Sequence, residues 1–169
     1  AKSNKEESSW RMRFKVGLGY TMPLEILFKA ASNSVIPFWL LLIVAPRWQW
    51  TQRLVHGPVV LLLLTPIYAY MLFGYAPAPE GMNFLTLYGV MVGFSAPNIV
   101  VAGWIHYLIF DLFVGAWETR DAQRRGIPHW LVIPCLLATL MIGPVGLLLY
   151  VVVRFLRTRV LEYDERGDQ

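Results

Sequence analysis

The stretch GWIHYLIFDLFVG, residues 103–115, sets a histidine and an aspartate inside an apolar run that is long enough to cross a bilayer. An ionised aspartate at the centre of a transmembrane helix disfavours insertion by about 2.5–3.5 kcal/mol. A residue kept at such a cost is a candidate functional residue by default. His106 and Asp111 are therefore the first site candidates in this chain.

The two side chains do not share one face of the predicted helix. They lie five positions apart, which is about 140° on a helical wheel. Asp111 shares its face with Tyr107 and Glu118, whereas His106 begins an aromatic stripe at spacings of four, seven and eleven residues. The members of that stripe are Phe110, Phe113 and Trp117.

Outward from this stretch, the apolar residues continue in long blocks. The chain has 169 residues, of which 56% are hydrophobic and 15% charged. About twenty predominantly apolar residues are needed to cross ~30 Å of hydrocarbon. We therefore predict an all-α integral membrane protein with four transmembrane helices, near residues 23–45, 55–75, 97–117 and 129–155. Pro134 and Gly143-Pro144 interrupt the fourth block, which predicts a bent helix there.

The remaining segments are polar or too short to cross. Met82 to Phe94 is apolar over only thirteen residues, which predicts a short interfacial or re-entrant helix before the third span. Residues 1–21 and 157–169 are predicted polar tails around a four-helix domain at 22–156. The chain opens at Ala1 without a leucine-rich signal core, so we expect that a targeting peptide has been removed.

The distribution of Lys and Arg bears on which side of the membrane the termini face. The two tails, with Arg154 counted at the C-terminal end, carry nine Lys or Arg against five in the loops on the other side, which favours termini facing the cytoplasm or stroma. The loop from Ala76 to Ala96, predicted on the side of the termini, has no Lys or Arg and argues the other way.

Several function classes lack their motifs. The chain has no glycine-rich phosphate loop, no serine nucleophile elbow and no Cys or His pair at zinc spacing, so no metal site is predicted. No basic run interleaved with aromatic residues points to nucleic acid as a partner. His56 and His129 lie at predicted span ends, where a histidine is usually only solvated.

Asp111 has two interpretations at this stage. With Tyr107 and Glu118 on its face, it is a candidate acid/base group. It could equally be a structural partner for a polar residue of a neighbouring helix or for an arginine folding back. His106 likewise is either a functional residue or a histidine hydrogen-bonded to another helix.

Five motifs together resemble one known family. They are PRW (46–48), GWIHYLIFDLFVG (103–115), GIPHW (126–130), PCL (134–136) and GPVGLLLY (143–150). This combination resembles the abscisic-acid-deficient-four-like plastid membrane family, which is required for neoxanthin formation in plants. The resemblance implies a four-helix protein of the thylakoid or inner envelope that acts on violaxanthin or a related xanthophyll.

The implied reaction is an isomerisation, in which an epoxide ring opens and a polyene hydrogen leaves to give an allene. An acid and a base suffice, so no redox cofactor is required. On chemical grounds Asp111 is the candidate base and Tyr107 or His106 the candidate acid. Aromatic residues of the same helix would line the polyene; they are Trp104, Phe110 and Phe113.

A second hypothesis is a non-catalytic accessory subunit of a photosystem or antenna. In it, His106 is an axial ligand for chlorophyll magnesium, and carotenoid or chlorophyll is bound. The predicted pigment contacts are His106, Trp104, Phe110, Phe113, Trp117 and His129. The expected partners are membrane lipids, a xanthophyll and photosystem or light-harvesting subunits. A small transporter is a third hypothesis, supported only by the interrupted helices.

Overall fold

The part of the chain that the structure describes contains helices and no strand, as predicted. The structure, a computed structural model, describes the backbone of residues 2–160 and the side chains of residues 23–160. The elements are α1 (Lys2–Val44), α2 (Gln49–Leu54), α3 (Val59–Ala69), a π-helical segment (Tyr70–Gly74), α4 (Leu87–Phe94), α5 (Pro97–Arg124), α6 (His129–Ile142) and α7 (Pro144–Thr158).

Among the described residues, three stretches are long and apolar enough to cross a membrane. They are Pro23–Val44, Gln49–Gly74 and Pro97–Arg124, and His129–Ile142 is a shorter apolar helix. The first three predicted spans are thereby confirmed as candidate membrane helices. The side chains of the predicted N-terminal tail and residues 161–169 of the predicted C-terminal tail lie outside the described residues.

The chain divides into two compact units. The first unit contains Ala1–Asn33 and Thr65–His106, and the second contains Ser34–Leu64 and Tyr107–Gln169. In the first unit, the rings of Phe28 and Trp104 lie 5.1 Å apart, and the Trp104 indole donates a hydrogen bond to Ser32 at 2.9 Å. Two remote parts of the sequence are thus joined in this unit.

The second candidate span is interrupted twice. Gly57 and Pro58 separate α2 from α3, and the π-helical turn follows Pro66, whose ring nitrogen cannot donate to the helix ladder. A π turn leaves helix carbonyls in need of another donor. The buried Asn98 side chain donates to the Met71 carbonyl at 3.0 Å, so α5 supplies one within the first unit.

The predicted short segment before the third span forms α4, eight residues long. Thr86 caps it, since its hydroxyl accepts from Gly89 N at 3.1 Å. Eight helical residues measure about 12 Å, much less than ~30 Å of hydrocarbon, so α4 cannot cross alone.

The predicted single bent helix over residues 129–155 is wrong, because α6 and α7 form an antiparallel hairpin. Gly143, the residue between them, has φ 26° and ψ −88°, outside the helical region. Pro144 then starts the new helix.

The contacts of the hairpin with α5 establish its direction. Thr139 of α6 bonds to Glu118, and Gly143 lies against Asp111, seven residues earlier on α5. Tyr150 of α7 then bonds to Asp121 at 2.7 Å, back near the end of α5. Helix α6 therefore runs antiparallel to α5, and α7 runs back parallel to α5. The close approach of Gly146 to the backbone of Thr139 leaves no room for a Cβ at Gly146.

Candidate functional site

Asp111 lies at the tip of the hairpin, within the second unit. A Cβ added to Gly143 would be 2.8 Å from Asp111 Oδ1, so the carboxyl reaches the turn only because residue 143 is glycine. Asp111 Oδ2 is buried and has no hydrogen-bond partner in the described part of the chain. The expectation that Asp111 faces the small side chains of the fourth segment is confirmed at Gly143.

Tyr107 accompanies Asp111 one helical turn earlier. Its hydroxyl donates to the Leu140 carbonyl at 3.1 Å and is also in hydrogen-bonding range of the Asp111 carboxyl. Tyr107 and Asp111 are i and i+4 on α5, which places them on the same face, as predicted. A hydroxyl and a carboxyl that exchange a hydrogen bond can also exchange a proton.

Glu118 continues the polar face seven residues further along α5. It is completely buried, and its Oε1 accepts from the Thr139 hydroxyl at 2.9 Å. Its Oε2 has no partner in the described region. Two carboxyl groups, each with one unsatisfied oxygen, thus line the hairpin, although buried polar groups are nearly always paired.

An apolar groove opens beside this face. It has a volume of about 280 Å³ and is lined by Phe113, Val114, Trp117 and Leu147. Trp117 packs edge-on against Tyr150 of the hairpin, with ring centroids 5.5 Å apart. Two of the predicted pigment contacts, Phe113 and Trp117, therefore line one groove, and Phe110 is exposed one turn before it.

The other predicted site residues have different surroundings. His106 and Trp104 belong to the first unit, where the exposed His106 ring lies 6.1 Å from the ring of Tyr68. His129 donates from Nε2 to the Ile43 carbonyl at 2.8 Å, so this nitrogen ties the start of α6 to the last turn of α1. A pigment role for these three residues stays a prediction.

The ABA DEFICIENT 4-like family matches residues 26–150, well over half of the chain. The chain belongs to this family. The match includes Tyr107, Asp111 and Glu118 and extends through the hairpin to Tyr150.

A curated relative in this ABA DEFICIENT 4-like family is Protein ABA DEFICIENT 4, chloroplastic, of Arabidopsis thaliana. It is 27% identical over 109 residues, which cover 60% of this chain and 49% of the relative. The chain thus spans about half the length of the curated relative that it matches. No solved structure matches the chain.

One polar pair of this ABA DEFICIENT 4-like chain does not follow from its sequence. Both ring nitrogens of His56 and the Nε of Arg120 are buried without hydrogen-bond partners among the described residues. The prediction of a solvated His56 is therefore wrong. The available signal was its position: His56 directly precedes Gly57-Pro58, the helix break, inside an apolar block.

Proposed function

We propose that this chain is a plastid membrane protein of xanthophyll metabolism that acts in the isomerisation of violaxanthin to neoxanthin. Membership of the ABA DEFICIENT 4-like family and the chloroplastic relative support this assignment. The site of action in this proposal is the thylakoid or the inner envelope.

One observation carries the chemical part of the proposal: the Asp111 carboxyl is in hydrogen-bonding range of the Tyr107 hydroxyl, and Val114, three residues further along α5, lines the apolar groove. A xanthophyll is a long apolar polyene with oxygenated rings at its ends. The groove offers an apolar surface for the polyene, and the polar face of α5 offers an acid and a base for the ring.

In the proposed reaction the Tyr107 hydroxyl protonates the epoxide oxygen as the ring C–O bond breaks. The Asp111 carboxylate removes the polyene proton, and the electrons of that C–H bond form the second double bond of the allene. The proton on Asp111 then passes to the Tyr107 oxygen through their hydrogen bond. Atoms and charges balance, and no oxidant or reductant is consumed. His106, on the other face of α5, is the less favoured acid.

The experiment is Asp111→Asn, with neoxanthin formation from violaxanthin measured in membranes that contain equal amounts of protein. The amide keeps the size of the side chain but cannot accept the proton, so we expect at least about a 100-fold loss of activity with normal accumulation. Glu118→Gln is the matched control, because Glu118 is bonded to Thr139 within the hairpin and should keep most of the activity.

Undiminished activity in Asp111→Asn would refute the acid/base assignment. Poor accumulation with normal activity per surviving molecule would make Asp111 structural. Tyr107→Phe and His106→Gln then separate the two candidate acids, since only loss of the real acid should lower the rate at equal protein amount.

A pigment-binding accessory subunit is the second proposal. Its support is the exposed apolar surface of α5, where Phe110 and Phe113 are 55% and 56% exposed on the stripe that His106 begins. Here His106→Leu should release chlorophyll from the purified protein, while Tyr88→Leu, at an exposed aromatic on α4, should not. A purified protein without pigment would refute this proposal.

For the membrane arrangement we propose three crossings and one re-entrant hairpin in place of the predicted fourth crossing. With 14 and 15 residues, α6 and α7 are each about 21–22 Å long, shorter than the ~30 Å of hydrocarbon. Both ends of the hairpin then lie on the side where α5 ends, and α4 is an interfacial helix.

A further inference from the structure

Two cavities of the second unit meet at Arg120. The first has a volume of about 200 Å³ and is mostly apolar, lined by residues that include Val60, Leu61, Ile109, Leu112 and Phe113. The second, of about 300 Å³, is open and polar, and is lined by Gln52, Arg120, Gln123 and Arg124. One guanidinium side chain therefore borders an apolar and a cationic space.

Unsatisfied polar atoms mark the junction. His56 lines the apolar cavity, and both of its ring nitrogens are buried without a partner among the described residues. Arg120 Nε is in the same condition. Buried polar atoms without a hydrogen-bond partner are rare in folded proteins unless a ligand or water bonds to them. The cavity thus has polar nitrogen atoms, on His56 and Arg120, that no described residue hydrogen-bonds.

The polar cavity is held in place by the chain itself. The side-chain amides of Gln52 and Gln123 both donate to the Pro46 carbonyl, each at 3.0 Å. These bonds fix α2 and the end of α5 on either side of the cavity. Arg120 and Arg124 are one helical turn apart on α5, so their two charges border the same opening.

We propose that these cavities bind an anionic lipid. The phosphate or sulfonate of its head group pairs with Arg120 and Arg124, and one acyl chain enters the apolar cavity past His56. Arginine matches such oxyanions with two parallel hydrogen bonds, and clustered arginines at a membrane surface attract anionic lipids. A free anion would leave the apolar cavity unused, and an uncharged amphiphile would leave the two arginines unneutralised.

This site is separate from the acid/base face of α5. Its defining groups are His56, Arg120 and Arg124, and none of them has a role in the proposed isomerisation. The lipid proposal can therefore fail while the isomerase proposal stands, and the reverse.

The test measures binding of dioleoyl phosphatidylglycerol to the full chain in detergent, by native mass spectrometry. We expect it to bind at least about tenfold more tightly than dioleoyl phosphatidylcholine, which has the same chains but no net charge. Arg120→Gln and Arg124→Gln should each reduce phosphatidylglycerol binding about tenfold. Arg157→Gln is the matched control, since Arg157 is exposed on α7 and outside both cavities.

Glycerol phosphate, the soluble head group alone, distinguishes a lipid from a free anion. If it binds as tightly as the lipid, or if phosphatidylcholine binds equally well, the proposal is overturned. An equal effect of Arg157→Gln would also overturn it. Should Arg120→Gln fail to fold, the exposed Arg124→Gln variant decides, with thermal unfolding used to verify its fold.

Discussion

At the residue scale, Asp121 connects the hairpin to α5. One carboxyl oxygen accepts from the Tyr150 hydroxyl at 2.7 Å and lies 3.3 Å from Arg154 Nε, and the other pairs with Arg125 at 3.0 Å. Tyr150 and Arg154 are completely buried. A buried guanidinium is tolerated only beside a carboxylate, so these residues depend on one another.

Removing Arg154 from its ion pair with Asp121 should therefore destabilise the second unit strongly. We expect Arg154→Met to lower the free energy of unfolding by about 3 kcal/mol, because the Asp121 carboxylate keeps Arg125 and Tyr150 but loses the buried guanidinium that faces it from α7. Thermal unfolding in detergent measures the change. The control is Lys29→Met, which breaks the exposed Glu25–Lys29 pair and should cost less than about 1 kcal/mol.

Tyr150→Phe removes a hydrogen bond but keeps the ring that packs on Trp117. We expect a smaller loss of about 1–3 kcal/mol, since the Asp121 carboxylate retains its arginine partners. The same unfolding measurement checks the order: a larger loss in Tyr150→Phe than in Arg154→Met would show that the ion pair is not the main connection.

At the element scale, the hairpin depends on close packing of two helices. Gly146 lies directly against the backbone of Thr139, where a methyl group has no space. The turn itself needs the positive φ of Gly143, a conformation that costs residues with a Cβ atom energy. Gly146 therefore allows α6 and α7 to approach closely, and Gly143 allows the chain to reverse its direction.

Gly146→Ala should separate α6 from α7 and disturb the Glu118–Thr139 bond. We expect a loss of about 1–3 kcal/mol or more in the free energy of unfolding, the range seen for overpacked cores. Val145→Ala, at the neighbouring and exposed position, is the control and should change stability little. Equal stability of Gly146→Ala and the control would contradict the tight hairpin.

At the scale of the whole molecule, charge is distributed very unevenly. Within residues 23–160, every arginine belongs to the second unit, and Lys29 is the lone lysine of the first. The loop between the π-helical segment and α4 has neither Lys nor Arg. With a re-entrant hairpin, this loop lies opposite the C-terminal end of α7 and on the side of the N-terminal segment. The loop-bearing side then has the five Lys or Arg of that segment, and the opposite side has nine.

Cysteine accessibility tests this arrangement. Cys135 is buried, so it contributes little background. In sealed vesicles of one orientation, an impermeant maleimide should label Arg47→Cys and Val160→Cys from one side and Glu80→Cys from the other. Four crossings instead place Val160→Cys with Glu80→Cys, and that result would refute the hairpin arrangement. Detergent-permeabilised vesicles, in which all three must react, are the control.

Much of this molecule follows from its sequence alone. The lengths of the apolar blocks predicted the α-helical class and three candidate spans, because hydropathy is a property of local composition. Helical spacing alone put Tyr107 and Asp111 on one face, and the cost of exposing a carboxylate to lipid predicted that Asp111 would face protein.

The reversal of the chain at Gly143 was decided by tertiary structure. Gly-Pro within an apolar block is compatible with a bend or with a full turn, and nothing local separates the two. The full turn is selected by partners far away in sequence: Asp121 for Tyr150 and Arg154, and Glu118 for Thr139. The burial of His56 beside Arg120 was equally invisible, because it depends on how the break before Pro58 packs against α5.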